Sequence, residues 1–307
     1  MISFASSFEG AMSDGWIFLQ LLIDGLSRGA MYGLMGMGMA LIFGIVGIIN
    51  LAHGELFMLG CFVMYYMVVA LGLPPAVGIV AASLCLFAGG ILIERGLIGP
   101  LRQRLGGAWL VDGYVLTIGV MIILQNLALI AFGPREHGVA SLWPGRHFVG
   151  ELAISNEKLV IMVVAGLFFA GLATFLRRTF LGRAIRATAQ NPAAAQVLGI
   201  DVRRIYTIAF GIGSGLAGAV GGLLLTTYPA YPTVGGEILL KAFIVVIIGG
   251  LGNIRGAMLA GLLLGVLEAF SISVASGGWQ NTVSALLVIG VLVLRPNGLF
   301  SSQTTRP

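Results

Sequence analysis

The chain has 307 residues, of which 58% are hydrophobic and only 9% are charged, and its mean hydropathy is +1.02. A soluble domain carries about 25% charged residues, so this composition excludes a soluble protein and indicates a polytopic membrane protein. The net charge of +5 does not indicate a nucleic-acid partner, because the arginines cluster in loops between apolar segments, where membrane topology explains them.

Apolar segments follow one another along the whole chain. The first, 17–49, is too long for one straight helix and barely long enough for two, and its glycines would permit a break. Segment 238–252 is short, which indicates a re-entrant segment or a half-helix. We predict an all-α polytopic membrane protein of about 8–10 transmembrane helices, some broken or re-entrant, in a single domain over residues 1–307. The apolar segments are 17–49, 55–72, 75–97, 113–132, 158–177, 204–227, 238–252, 256–276 and 280–294.

The distribution of arginines predicts the orientation of the chain. Loops 95–112 and 177–204 are rich in arginine and should be cytoplasmic, whereas loop 133–158 balances its charges and should face outward. Arg295 then places the C-terminus in the cytoplasm. The side of the N-terminus stays open, because it lies outside if segment 17–49 crosses once and inside if that segment crosses twice.

A polar cluster of Asn50, His53 and Glu55 follows the first apolar segment. Polar groups are costly in the bilayer, so they mark a broken helix, a water-lined path or a membrane edge. Two interpretations stay open. The side chains line a translocation path, or they form a surface turn or helix break in which Glu55 caps the next helix. Asn253 lies in a second glycine-rich break, 249–256, and is a further candidate for the path.

The loop after residue 177 contains signals for a short helix. Asn191 is a good N-cap, Pro192 suits the first helical position, and Gly199 is a natural residue beyond the C-terminus. The predicted helix of about two turns is small and nearly uncharged, and Arg183 and Arg186 precede it. Such a helix suits a shallow groove on a partner. The alternative is an ordinary cytoplasmic loop whose arginines only set the topology.

The sequence offers no constellation for chemistry of its own. It has no phosphate-binding loop of the Gly-x-x-x-x-Gly-Lys-Ser/Thr type, so an ATP-driven function would need a separate ATPase subunit. No metal site, catalytic group or cofactor site is predicted. We therefore expect a transport subunit rather than an enzyme.

Motifs in chain order resemble those of permeases from branched-chain amino acid (Liv-type) ABC importers. Asn50–Glu55, N-L-A-H-G-E, is similar to their N-F/L/M-A-H-G-E signature, in the form of the shorter of the two permeases. One such motif is a weak indication, whereas several in register over nearly the whole chain are a strong one. The further stretches are 117–125, 182–200, 211–218, 240–243, 249–254 and 295–300.

The resemblance implies an importer subunit in a bacterial inner membrane, surrounded by lipid. A periplasmic solute-binding protein would deliver the solute to this chain and a second Liv-type permease, and two ATP-binding cassette subunits would use ATP to drive alternating access. The resemblance places the ATPase contact on loop 182–200. There the arginines would meet the ATPase rim, Asn191 would cap the helix, the alanines would permit close docking, and Gly199 would end the helix. The coupling residues are Arg183, Arg186, Asn191, Ala194, Ala195 and Gly199.

Two alternatives remain beside an importer of leucine, isoleucine or valine. Permeases for urea or short amides have nearly the same signatures. An ion-coupled secondary carrier or channel is a different class, and it would use an acidic residue inside the membrane for its coupling ion. Glu268 is the residue that keeps this second alternative open. The sequence fixes neither the solute nor whether the two permeases are different or identical.

Overall fold

The structure is a computed structural model that describes residues 14–105, 109–275 and 279–300. The described chain is almost entirely helical, and seven of its helical stretches are long and apolar enough to cross a membrane. The predicted polytopic all-α fold is therefore confirmed. The helices are α1 (Asp14–Val46), α2 (His53–Tyr65), α3 (Pro75–Ile93), α4 (Gly99–Leu105), α5 (Trp109–Phe132), α6 (Asn156–Arg178), α7 (Phe180–Gln190), α8 (Pro192–Val197), α9 (Val202–Leu224), α10 (Gly235–Gly249), α11 (Ile254–Ala275) and α12 (Gln280–Leu294).

Short irregular elements complete these spans. π-Helical turns extend α2 over Tyr66–Ala70 and join α3 to α4 over Glu94–Ile98. A hairpin of two antiparallel strands, β1 (Arg146–Val149) and β2 (Leu152–Ser155), precedes α6. Helices α10 and α12 have 15 residues each, or about 22 Å of rise, and are too short to span about 30 Å of hydrocarbon alone.

Helix α1 is one continuous helix of 33 residues, about 50 Å long. The expectation that segment 17–49 is too long for one helix is wrong, and its glycines do not break it. They let α1 and α11 approach closely, because a Cβ atom on Gly29 would lie 2.6 Å from the Cα atom of Leu262. In lipid no hydrophobic driving force acts between helices. Small residues stabilise a helix pair there because they allow close van der Waals packing of the two backbones.

The single crossing of α1 separates two faces of the protein. Its first turns lie beside the hairpin, where Gln20 Oε1 accepts a hydrogen bond from the Ala153 backbone N–H at 3.2 Å. We call the face with β1 and β2 the outer face, and the face with α7 and α8 the inner face. Because α1 crosses once, its start lies on the same face as the hairpin, opposite α7 and α8.

Helices α1 and α9 form the centre of the bundle. In both, 89% of the most apolar stretch is buried inside the protein, whereas only 17% is buried in α5. Helix α9 is glycine-rich along its middle, so α2 and α3 pack directly on its backbone. A Cβ atom on Gly60 of α2 would lie 2.7 Å from the Cα atom of Gly218 of α9. α2 is thereby held against α9.

Helix α10 is a half-helix that begins inside the bundle. The chain leaves α9 at the outer face, where Ala230 forms an isolated bridge with His137, and then turns back to begin α10 at Gly235. The helix ends at Gly249, and Gly250 follows with φ of 93°. The prediction of a short, half-helical element here is confirmed, with bounds three residues earlier than expected.

Candidate translocation path and coupling surface

The polar cluster after α1 lies inside the protein. Helix α1 ends at Val46, Gly47 turns the chain with φ of 84°, and Asn50 Oδ1 accepts a hydrogen bond from the Ala52 N–H at 3.1 Å. His53 then begins α2. Asn50, His53 and Glu55 are each at most 1% exposed, so the cluster is a buried helix break and not a surface turn.

The three polar side chains take different positions at this break. Asn50 closes the turn. Glu55 lies in the first turn of α2, near the positive end of its dipole as expected, and its Oε1 atom accepts a hydrogen bond from Gln125 Nε2 of α5 at 2.9 Å. Asn50 Nδ2 and Glu55 Oε2 are buried without a hydrogen-bond partner among the described residues, whereas the His53 ring lies against the Met35 backbone and packs on Gly38 of α1. Buried polar atoms are normally satisfied, so the two unpartnered atoms are the candidates for a contact with water or a polar solute.

Two helices begin at the same place in the bundle. A Cβ atom on Gly54 of α2 would lie 2.9 Å from the carbonyl carbon of Gly235, and one on Gly235 would lie 2.5 Å from that of Gly54. The first turns of α2 and α10 are thus in backbone contact. Each first turn carries the positive end of a helix dipole, while the N–H groups of His53, Glu55 and Gly236 already donate to backbone carbonyls. Half-helices that start near the midplane are the usual way to build a solute path in a transporter.

Asn253 forms its hydrogen bonds with the start of α11 and with the C-terminal segment, and not with this cluster. Its Oδ1 atom accepts from the Gly256 N–H at 3.0 Å, which caps α11, and its Nδ2 atom donates to the Phe300 carbonyl at 2.6 Å. Gly252 before it lies close to Gly44 near the inner end of α1. The side chain therefore starts α11 and fastens the C-terminal segment, and its polar atoms are already engaged.

A buried ion pair fixes the half-helix α10. Lys241 Nζ lies 2.5 Å from Glu268 Oε1 of α11 and also donates to Asn281 Oδ1 at 3.0 Å. Tyr32 of α1 donates to Glu268 Oε2 at 3.0 Å. Gln280 Nε2 and the Ser284 hydroxyl of α12 also donate to this carboxylate. One carboxylate therefore connects four helices, and burial is tolerated because the charge is paired and fully hydrogen-bonded.

Sequence reasoning singled out Glu268 as a buried acid but missed its partner. Lys241 was the available signal, because a lysine in an apolar stretch needs a counter-charge within the membrane. Gly235 was also missed, although Gly235-Gly236 after Pro232 marks a place where the backbone approaches closely.

Two short helices cover the inner face between α6 and α9. Asn191 Oδ1 accepts from the Ala194 N–H at 3.0 Å, and Pro192 occupies the first position of α8. Gly199 has φ of 80°, and the Ile200 N–H donates to the Ala195 carbonyl at 3.0 Å, which is a Schellman ending. The predicted helix with its two caps is confirmed, and α8 is rigidly closed at both ends.

The exposed side of α8 differs from the one that the sequence indicated. Ala195 is only 2% exposed, so its methyl group packs inside this chain and cannot provide a contact surface. Arg183, Arg186 and Ala194 are exposed. The exposed large apolar groups at the end of α8 are Val197 and Leu198, at 88% and 78% exposure. We call this pair of residues the exposed tip of α8. Its sequence signal was the presence of two large apolar residues just before a helix-ending glycine.

The sequence is similar to known transport permeases. Residues 21–294 match the protein family described as "Branched-chain amino acid transport system / permease component". The chain is 35% identical over 302 residues to the high-affinity branched-chain amino acid transport system permease protein BraD of Pseudomonas aeruginosa, covering 94% of this chain and 97% of BraD. It is 35% identical over 303 residues to the permease protein LivH of Escherichia coli K12, with the same coverage.

More distant similarity extends to permeases of other solutes. The ribose import permease protein RbsC of Haemophilus influenzae is 27% identical over 227 residues, covering 68% of this chain and 67% of RbsC. No solved structure is significantly similar to the chain.

Proposed function

Because the chain belongs to the family of branched-chain amino acid transport permease components, we propose that it forms half of the path of an ATP-driven importer for leucine, isoleucine, valine or closely related amino acids. It is a multi-pass membrane protein with seven candidate spans in its described part. Its relatives BraD and LivH carry branched-chain amino acid transport in their names, which supports this choice of solute.

The other subunits of the importer are part of the proposal. A second Liv-type permease would complete the path, two ATP-binding cassette subunits would hydrolyse ATP, and a periplasmic binding protein would deliver and select the solute. The sequence has no phosphate-binding loop, which is why ATP hydrolysis is assigned to separate subunits and no cofactor to this chain. Urea and short amides remain the solutes to test against leucine.

The inner face is proposed to be cytoplasmic. Arg177 and Arg178 end α6 there, and Arg183 and Arg186 are exposed on α7. Arginine-rich loops stay on the cytoplasmic side. Helix α12 then carries the chain back toward this face, so the C-terminus is cytoplasmic, while the start of α1 faces the periplasm.

The observation that carries the coupling proposal is the exposed apolar tip at Val197 and Leu198. The tip is closed by the caps at Asn191 and Gly199, and only two residues separate Gly199 from the start of α9 at Val202. A displacement of α8 by an ATPase would therefore pass into α9 without being absorbed by a flexible loop. Arg183 and Arg186 would meet acidic groups at the rim.

Helix α9 connects this tip to the path. Its glycines hold the backbone of α2 in direct contact, as at Gly218 and Gly60, and α2 begins at the break that contains His53. Packed helices transmit rigid displacements because they cannot deform continuously. Movement of α9 would shift the first turn of α2 against that of α10, and so open or close the polar break.

The ion-coupled carrier is the weaker alternative. Its candidate acid, Glu268, has both carboxylate oxygens engaged by Lys241, Tyr32, Gln280 and Ser284. A carboxylate held in this way is a structural anchor and offers no open position to a coupling ion. The importer needs no such ion, because ATP drives it.

The experiment that tests the function begins with purification of the tagged chain from its native membrane in mild detergent. Mass spectrometry identifies the co-purifying proteins, and the complex is reconstituted in liposomes with ATP inside and a leucine-loaded binding protein outside. We expect a second permease, two ATPases and ATP-dependent leucine uptake. Uptake that persists without ATP would support the carrier, and uptake of urea instead of leucine would support the amide permease.

A further inference from the structure

A polar cavity of about 290 Å³ lies in the outer half of the protein. It is enclosed by α1, the start of α6, the loop after α9 and the start of α12. Its volume lies at the small end of the range for ligand pockets, about 300–1,000 Å³, so it suits a small solute. We call it the outer cavity. Its lining includes Asp24, Arg28, Met31, Tyr32, Glu157, Lys158, Ile161, Tyr228 and Gln280.

Arg28 supplies an unpaired positive charge to the outer cavity. It is half-buried on α1, within a membrane-spanning stretch, and makes no hydrogen bond or ion pair with any residue in the described part of the chain. Asp24, one turn earlier, is already paired with Lys158 at 2.5 Å. An ionisable residue inside the membrane is expensive and normally marks a function. The guanidinium matches a carboxylate in a two-point contact.

Two acidic groups give the cavity a place for a positive charge as well. Asp24 uses Oδ1 for Lys158 and Gln20, and Glu157 uses Oε1 for the Ser141 hydroxyl and the Leu142 N–H. The second oxygen of each carboxylate accepts no hydrogen bond from the described residues. A ligand ammonium group fits beside these oxygens while its carboxylate faces Arg28.

The remaining wall suits an apolar side chain. Met31 and Ile161 add apolar groups to the lining of the cavity. Tyr228 stands in the loop outside the spans, and burial raises the pKa of its neutral hydroxyl, which is hydrogen-bonded with Tyr32 at the cavity lining. A cavity that offers opposite charges and apolar groups together matches a zwitterionic amino acid with a hydrocarbon side chain.

Two residues that line the outer cavity also hydrogen-bond to Glu268, the carboxylate that holds the half-helix α10. Tyr32 and Gln280 both line the cavity, and both donate to Glu268 Oε2, at 3.0 Å and 2.7 Å. Glu268 in turn holds Lys241 of α10. A ligand that draws Gln280 or Tyr32 toward itself changes the hydrogen bonds of the carboxylate that positions α10.

We propose that the outer cavity binds the transported amino acid as a zwitterion before it enters the path, with Arg28 receiving the α-carboxylate. The inference rests on the proposed function, because the ligand is the solute of that importer. It assigns the permease a solute contact of its own, in addition to selection by the binding protein.

The test compares ligands that differ in one charge. Binding of radiolabelled leucine to the purified importer, without binding protein, is competed with leucine, leucinamide and isovalerate. In the unmodified importer, leucinamide, which lacks the carboxylate, should compete at least about tenfold less well than leucine, as expected for a lost charged hydrogen bond. Arg28→Gln should weaken leucine binding to a similar extent and abolish the preference for leucine over leucinamide. Arg146→Gln is the control, because Arg146 is exposed on β1 at the same face.

The outcomes separate this inference from the proposed function. Unchanged leucine binding and unchanged discrimination in Arg28→Gln would overturn the inference and leave the importer intact. Failure of the unmodified complex to take up leucine would instead overturn the proposed function. Loss of binding-protein association in Arg28→Gln, with normal discrimination between ligands, would show that Arg28 meets an acidic group of that protein and would also overturn the inference. If Arg28→Gln does not assemble, Arg28→Lys is tested for reduced discrimination in the same way.

Discussion

Gly54 and Gly235 hold the first turns of α2 and α10 in backbone contact inside the bundle. Neither position has room for a side chain, because a Cβ atom on either glycine would overlap the backbone of the other. The contact brings the positive dipole ends of two helix starts together, and Asn50, whose Nδ2 atom is buried without a partner among the described residues, lies in the break just before α2. The path proposed at this break therefore combines two helix starts with a few polar side chains.

The first prediction concerns this contact. Gly235→Ala should lower the free energy of unfolding by about 1–3 kcal/mol, as expected for overpacking, and should reduce leucine uptake by separating the two helix starts. Gly236→Ala is the matched control, because a Cβ atom at the neighbouring position meets nothing within 4 Å. Thermal unfolding in detergent and uptake in liposomes measure both effects. Equal behaviour of the two variants would contradict the close contact.

The second prediction concerns the ion pair of Lys241 and Glu268. Lys241→Met leaves a carboxylate buried without its counter-charge and should destabilise the protein by about 3–5 kcal/mol. The double variant Lys241→Met/Glu268→Gln removes both charges and should recover much of that loss. The double-mutant cycle is followed by thermal unfolding. If the two single effects simply add in the double variant, the pair does not act as a unit.

The sequence predicts the parts of this protein that depend on local signals. Asn191, Pro192 and Gly199 are read directly as the start and end of α8, because capping involves residues close in the chain. The break at Asn50 is equally visible, since polar residues interrupt an apolar run. These features require no knowledge of which helices are neighbours.

The features that were missed depend on which helices pack together. α2, α3 and α5 are apolar on all sides, so their sequences do not show which face meets protein and which meets lipid. The glycines of α1 permit either a break or a close helix contact, and only the position of α11 decides between them. The burial of Ala195 depends likewise on how α8 lies against this chain, and its sequence neighbours do not reveal it.

The third prediction tests the caps of α8. Asn191→Ala removes the side chain that accepts from the Ala194 N–H, and the loss of such a cap costs about 1 kcal/mol. The frayed helix should transmit less of the ATPase movement, so solute-stimulated ATP hydrolysis should fall while membrane insertion stays normal. Gln190→Ala, the preceding exposed position, serves as the control. Unchanged stimulated hydrolysis in Asn191→Ala would show that coupling does not depend on a rigid α8.

The fourth prediction concerns the exposed tip of the same helix. Val197→Ser together with Leu198→Ser should leave the stability of the permease unchanged, because both side chains are already exposed. ATPase binding should weaken, since apolar area would no longer be buried in the partner. Co-purification of the ATPase and solute-stimulated hydrolysis measure the loss. Gln196→Ser is the control, because Gln196 is an exposed polar residue of the same helix.

The Ala195→Glu variant distinguishes residues that contact the ATPase from a residue that only supports the packing of α8. A glutamate at this buried position should disturb the packing of α8 itself, because a charge without a partner is costly inside a protein. That variant should therefore lose both stability and coupling, whereas the Val197 and Leu198 variant loses coupling alone. If Ala195→Glu is stable and the serine variant couples normally, the contact lies on the opposite side of α8, and the exposed tip does not touch the ATPase.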